Sequence, residues 1–504
     1  MKREDRGPVE ETLDPADWES LRDLGHRMID DMVDYTTSLR ERAPWTHAPE
    51  AIMARFTGSV PLEPSPPEHV YQEFREYILP YPTGNIHPLF WGWVLGTGTL
   101  SAAMADMLAS TMNIGASGGL SYHSANYVEY QVLLWFKELM GFPEEASGLL
   151  TSGCSAANLI GLATARNTKA PWNVRRDGLS GAGTRMVLYA SEEAHSSIQK
   201  AVELLGLGSS ALRRIPVNRR FQIRPDALRD AIAQDRRQGL LPFCVVGAAG
   251  TTNTGAIDDL EVLADICQEE ELWLHVDGAF GAWAILTPQG KHLLAGMERA
   301  DSLAFDLHKW MYLPYEIGCV LVRSERAHRE AFSVTPEYLA HGEGTRGMTG
   351  EDLPWLADYG FQLSRSFRAL KAWMSMKEHG VRRYGRLIQQ NIDQARYLGE
   401  IIEATPELEL VAPVLLNVVN FRYVGTGLDP RSLDELNGRI IVEIQERGIA
   451  VVSGSVVGGK RVLHVAHTNH RSRREDFEVL VREVVRIGDA IPPWTEGTTA
   501  RSSC

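Results

Sequence analysis

Between about residue 100 and residue 375 the chain repeats one texture: a short, mostly apolar run, then an amphipathic stretch of helical spacing, then another run. The runs fall at residues 186–190, 243–248, 272–276, 302–305 and 319–322, and the stretches between them include 156–166, 197–205 and 260–269. A strand apolar at nearly every position must be covered on both faces, and crossover helices between parallel strands supply that cover. The pattern predicts an α/β domain built on a mostly parallel sheet. In such sheets ligands collect at the loops beyond the carboxyl ends of the strands.

The flanks read differently. Trp18, Leu21, Leu24, Met28 and Met32 recur at helical spacing, with Asp14 or Asp17 placed to cap the start. Prolines from Pro61 to Pro67, then Pro80 and Pro82, follow as an extended connector. A helix tied by such a connector packs either on its own domain or against another subunit. After residue 376 a helix at 384–402, short strands at 417–423 and 461–466, and an amphipathic helix at 477–487 predict a smaller α+β domain. The expected division is a helical segment and linker at 1–99, a large domain at 100–375, and a small domain at 376–504 whose tail from 492 is polar and disordered.

Composition removes several classes of function. A net charge of -14 over 504 residues leaves no basic surface for nucleic acid. No apolar stretch follows the amino terminus and no segment is long and apolar enough to span a bilayer, so neither a secretory leader nor a membrane anchor is expected. Five cysteines without a CxxC pair predict reduced thiols and a cytoplasmic protein.

Chemistry gathers at the ends of the predicted strands. Asp306-Leu307-His308-Lys309-Trp310 follows one apolar run and places a lysine beside an imidazole and an indole. Desolvation lowers an amine's pKa, and a neutral amine condenses with a carbonyl; taken alone, Lys309 reads equally as a surface lysine. His275-Val276-Asp277-Gly278-Ala279 ends another run, where a carboxylate between small residues can approach a planar ligand, or simply cap the next turn. Thr151-Ser152-Gly153-Cys154-Ser155 opens a helix whose backbone N–H groups suit a phosphate, and Ser155 is equally an ordinary cap. His195 and Thr251 follow two further runs and are ambiguous singly. Gly96-Thr97-Gly98 lacks the full dinucleotide fingerprint. His464, His467 and His470 lack a supporting carboxylate or thiol pattern and read as structural, so no metal is expected.

The ordered set His195, Thr251, Asp277 and His308-Lys309-Trp310 resembles the group II pyridoxal-phosphate decarboxylases, especially the aromatic-L-amino-acid decarboxylases, from about residue 18 to about residue 490. The resemblance implies fold type I, pyridoxal 5'-phosphate as cofactor, and a homodimer with shared active sites. It makes Lys309 the Schiff-base lysine, Asp277 the partner of the pyridine nitrogen and His195 the ring that stacks on the cofactor. Cys154, Ser155, Asp306 and His308 match phosphate-side positions, and Thr251 and Ala279 flank the cofactor. Asp306 stands where relatives have Asn, and a carboxylate there repels a phosphate unless it orients a donor. Tyr338 follows Lys309 by 29 residues and matches the catalytic tyrosine of a mobile loop, ahead of a polar, glycine-rich stretch at 341–350.

His87-Pro88-Leu89-Phe90-Trp91-Gly92-Trp93 resembles the segment that lines the substrate pocket. Phe90, Trp91 and Trp93, with Thr97, favour an aromatic or bulky amino acid over an acidic one; the competing reading is that these rings are core. Leu95-Gly96 replaces the Pro-Thr pair of the aromatic-acid enzymes, which leaves the substrate open. The expected reaction is decarboxylation of an L-amino acid to the amine and CO₂. The rivals are an aldehyde synthase, a decarboxylase of an acidic amino acid, an aminotransferase, and a non-catalytic homologue. Tyr338 weighs against the aldehyde synthase, where phenylalanine is typical, and retention of Lys309 and Asp277 weighs against the non-catalytic homologue.

Overall fold

The computed structural model describes residues 11–116, 124–180, 183–334, 355–425 and 427–491. Tyr338, the stretch 341–350 and the tail from 492 lie outside the described residues. The chain divides into two compact units, Met1–Gly84 and Asn85–Cys504.

In the first unit the helix Trp18–Thr37 starts at Asp17, whose carboxylate accepts from the backbone N–H groups of Glu19 and Ser20. Of the helix's apolar residues only Leu24 is buried, while Trp18 and Leu21 stay exposed. Tyr71, on the helix Pro67–Glu73, donates to Asp31 Oδ2 at 2.7 Å and ties the two helices together.

The second unit holds two sheets. The larger comprises β1 (Ser147–Thr151), β2 (Met186–Ser191), β3 (Leu212–Ile215), β4 (Leu241–Ala248), β5 (Trp273–Asp277), β6 (Ser302–Asp306) and β7 (Gly318–Val322), in the order β1-β7-β6-β5-β4-β2-β3. Strands β3, β2, β4, β5 and β6 are parallel neighbours, and β7 runs antiparallel to both β6 and β1. Every residue of β1, β2, β5, β6 and β7 is buried, which is the two-sided cover that the apolar runs require. This is the fold type I α/β architecture, with helices such as Cys154–Lys169 and Leu260–Glu269 laid over the sheet.

The smaller sheet has the order β10-β11-β9-β8, all antiparallel, from β8 (Leu408–Leu410), β9 (Val418–Tyr423), β10 (Ser453–Val457) and β11 (Lys460–Ala466). The helices Val381–Glu403, Pro430–Glu446 and Arg474–Ala490 pack against it around a separate apolar core.

Several histidines are walled in. His328 is fully buried, 2.8 Å from Ser147 Oγ and edge-on to Tyr359, and burial pushes its pKa down to about 3. An unfolded histidine takes a proton as pH falls through about 6.5, which the folded His328 refuses. The unfolded chain therefore binds more protons between about pH 6.5 and 3, and stability is lost as pH drops through that window. Thermal melts from about pH 7.5 to about pH 5 are expected to show a shallower decline for His328→Gln than for the parent, by an amount on the order of 1–2 kcal/mol at pH 5. Parallel declines would refute this contribution.

Candidate active site

Strands β5 and β6 end side by side and deliver two carboxylates to one edge. Asp277, the last residue of β5, sits in register with Ala248 on β4 and Ala304 on β6. Its Oδ1 accepts from the Ala279 N–H at 3.2 Å and from Cys154 Sγ at 3.5 Å, and its Oδ2 accepts from Asn158 Nδ2 at 3.1 Å. A buried carboxylate with three donors is held in place.

Asp306 ends β6, and its two oxygens face different partners. Oδ1 accepts from the Cys154 N–H at 2.6 Å, and Oδ2 lies 3.1 Å from Lys309 Nζ and 3.6 Å from His308 Nε2. The carboxylate thus does orient donors: it fixes the start of the helix Cys154–Lys169 and pairs with the lysine. The same contact revises the expected ionisation of Lys309. Burial presses the ammonium toward its neutral form, but the charges of Asp306 and Asp277, with the hydrogen bond to Asp306, outweigh it and hold the pKa above that of an ordinary lysine. In the cofactor-free protein the amine is charged, because the burial comes with a carboxylate beside it.

Close packing shapes the Lys309 loop. A Cβ on Gly96 would fall 1.9 Å from the His308 carbonyl oxygen, so only glycine lets that segment pass the loop. His308 Nδ1 lies 2.8 Å from the Ile317 carbonyl, and burial lowers its pKa. Trp310 and Tyr312 are fully buried, and both donate to Asn391 Oδ1, at 3.0 and 2.7 Å. The indole of Trp310 thus anchors the lysine loop to the helix Val381–Glu403.

His195, Thr251, Asp277 and Ala279 line one recess, together with Ala248 and Ile198. His195 caps the helix Ser196–Leu204, its Nδ1 accepting from the Ser197 N–H at 3.2 Å, and burial lowers its pKa. Thr251 is buried, 2.9 Å from Thr254 Oγ1, and accepts from the Ala256 N–H. Ser155 is exposed at the start of its helix, whereas the Cys154 N–H is already committed to Asp306.

The segment expected to line the substrate pocket divides. Trp91 is core: 1 % exposed, it stacks on Phe477 with ring centroids 4.7 Å apart and donates to Ser472 Oγ at 3.0 Å. Its apolar surface packs in the small-sheet core, as the competing reading of these rings has it. Phe90 and Thr97 are buried, while Trp93 is half exposed. None of these four lines the recess of His195 and Asp277. The carbonyls of Thr97 and Gly98 face Arg471, a cation brought from the far end of the chain at 3.5 and 3.2 Å.

Asn158, Ser197, His275 and Tyr315 were not singled out from the sequence. His275 lies two residues before Asp277 on one strand, and Asn158 lies four after Cys154 on one helix. Those spacings share a face, and would have flagged both once Asp277 and Cys154 were chosen. The Tyr315 ring sits 4.4 Å from that of His308, a proximity that no spacing announces.

Residues 49–424 match the family model described as the pyridoxal-dependent decarboxylase conserved domain. The chain is 33% identical to the aromatic-L-amino-acid decarboxylase of Bacillus atrophaeus over 475 residues, covering 94% of this chain and 96% of that protein. It is 27% identical over 469 residues to the phenylacetaldehyde synthase of Petunia hybrida, covering 90% of each. Among solved structures it is similar to the crystal structure of Oryza sativa TDC with PLP and tryptamine, with a TM-score of 0.87 and 26% identity over 95% of this chain and 99% of that one.

Proposed function

Because the chain belongs to the pyridoxal-dependent decarboxylase family and is a pyridoxal-phosphate-dependent amino-acid decarboxylase, we propose that its substrate is an aromatic or otherwise bulky L-amino acid, released as the amine and CO₂. One observation carries the assignment of the site: Cys154 touches Asp277 through its thiol and Asp306 through its N–H, and Asp306 pairs with Lys309. Acid and amine stand beyond adjoining strand ends, and a histidine lines the same recess as the acid.

That donor set fits the cofactor. Lys309 would hold it covalently, Asp277 would meet its ring nitrogen, and His195 would cover its face. Thr251 and Ala279 would flank it, with Ser155, His308, Cys154 and Asp306 on the phosphate side. When bound, pyridoxal phosphate supplies an electron sink for the bond to the departing carboxylate. The chain's own work is to orient that bond, to keep the ring nitrogen protonated through Asp277, and to return a proton to Cα from Tyr338 with His195 near.

Phe90, Trp93 and Thr97 are assigned to the substrate side. The resemblance to an aromatic-acid decarboxylase at 33% identity supports an aromatic side chain. A second reading, decarboxylation coupled to oxidative deamination, is favoured by the Petunia relative and opposed by Tyr338. We assign a homodimer with shared sites, supported by the exposed Trp18 and Leu21 and by Met107, Leu108 and Met112 exposed on the helix Leu100–Met112. The proposed division remains 1–99, 100–375 and 376–504, in the cytoplasm. Among the described residues no helix is long and apolar enough to cross a membrane.

The test is turnover of the protein loaded with pyridoxal phosphate, offered L-tryptophan, L-tyrosine, L-phenylalanine, L-glutamate and L-aspartate, with CO₂, amine and oxygen followed together. CO₂ and equal amine from an aromatic acid, without oxygen uptake, is the expected result. Preference for an acidic substrate would overturn the substrate class, and oxygen uptake with aldehyde would establish the second reading.

A further inference from the structure

Behind the recess lies a continuous chain of buried polar groups that none of the assigned roles uses. Trp273 Nε1 donates to Ser302 Oγ at 2.8 Å, and Ser302 Oγ lies 2.8 Å from His275 Nδ1. His275 Nε2 lies 2.9 Å from Asn158 Oδ1. Asn158 Nδ2 reaches both Asp277 Oδ2 at 3.1 Å and Ser197 Oγ at 3.0 Å, and Ser197 Oγ lies 2.9 Å from His195 Nδ1. Trp273, Ser302, His275, Asn158 and Ser197 are all buried.

The two ends fix the direction of every link. An indole N–H only donates, and an ionised carboxylate only accepts. The Asn158 amide must therefore turn its NH₂ toward Asp277, which leaves Oδ1 facing His275 and makes His275 Nε2 the donor. A neutral His275 then accepts at Nδ1 from the Ser302 hydroxyl, whose oxygen is free to accept from Trp273; burial, holding the His275 pKa down at about 4, keeps the ring neutral. The second Asn158 hydrogen goes to Ser197 Oγ, so the Ser197 hydroxyl hydrogen is left for His195 Nδ1. The Ser197 backbone N–H points at the same nitrogen. With two donors on Nδ1, the proton of a neutral His195 belongs on Nε2.

We propose that Asn158 and Ser197 are positioning residues, which hold the Asp277 carboxylate and, through the same one-way chain, lock His195 with its proton on Nε2. The consequence for turnover rests on the cofactor reading above, whereas the polarity of the chain does not. His195 then offers the substrate side an N–H donor rather than a lone pair. One amide serves both the residue assigned to the ring nitrogen and the residue assigned to the ring face, so a single substitution loosens both.

The test is histidine-selective ¹⁵N NMR of the full chain, without cofactor and loaded with pyridoxal phosphate, with His195→Gln and His275→Gln to assign the signals. Both rings are expected to show a protonated Nε2 and a bare Nδ1 at neutral pH; a proton on Nδ1 of either ring overturns the proposal. Asn158→Asp keeps the acceptor that faces His275 but sets a second carboxyl against Asp277, with at most one shared proton in place of the amide's two donors, so the His275 tautomer should persist while pyridoxal-phosphate affinity falls about ten- to a hundredfold. Asn158→Leu loses acceptor and donors together, and His275 should then show mixed tautomers. Unchanged affinity in Asn158→Asp, or an unchanged His275 in Asn158→Leu, would each contradict the chain. A parent protein that took up no pyridoxal phosphate would contradict the cofactor reading instead, with the tautomers of the cofactor-free protein still deciding this one.

Discussion

Lys309→Ala protein, purified with pyridoxal phosphate, is expected to lack the visible absorbance of the covalently loaded parent and to lose turnover by about a thousandfold or more. The expectation rests on where the amine stands. Lys309 Nζ is 3.1 Å from Asp306, beyond the end of β6 and beside the strand that ends in Asp277. Another buried lysine, Lys371, is held by Asp106 at 2.9 Å and by the Pro314 carbonyl at 3.1 Å, which spends its donors away from Asp277. Removing Lys309 therefore removes the amine, and among the described residues Lys371 is not placed to replace it. Absorbance retained in the alanine variant would move the attachment to a different lysine, with Lys371 the first to examine.

Asp277→Ala is expected to behave differently, keeping part of its cofactor because Lys309 remains while turnover falls about a thousandfold. The carboxylate is buried and receives hydrogen bonds from Ala279, Cys154 and Asn158, so its charge is preorganised at one point rather than shared with solvent. The role proposed for it is to keep the cofactor's ring nitrogen protonated, without which the ring is a poor electron sink. Near-normal turnover in a variant that binds the cofactor would refute that role. Loss of cofactor and turnover in equal measure would reduce Asp277 to a binding group.

Most of the larger sheet was legible because its strands are apolar on both faces, although β1 and β3 went unrecognised. That constraint is local, and it placed β2, β4, β5, β6 and β7 within two residues of where the structure has them. The smaller sheet and its helices were read less completely: β8, β10 and the helix Pro430–Glu446 went unrecognised. Strand β8 has three residues and β10 is exposed along its middle, so neither carries a clean apolar period. The site residues at strand ends were visible as chemistry, but their ionisation was not. Lys309 was expected to be neutral by burial, and Asp306, three residues away, keeps it charged. Trp91 stood in a motif that suggests a pocket, yet its partners Phe477 and Ser472 lie nearly four hundred residues on. The Asn158 chain has the same origin, since its members come from a helix, two strands and a helix cap that meet only in three dimensions.

The central claim is that Lys309 carries the cofactor within reach of Asp277. Its most direct test is to treat the loaded parent protein with borohydride, digest it, and locate the pyridoxyl group by mass spectrometry. The account predicts the label on the peptide that contains His308-Lys309-Trp310. A label on any other lysine, or a cofactor that washes out unreduced, would contradict it.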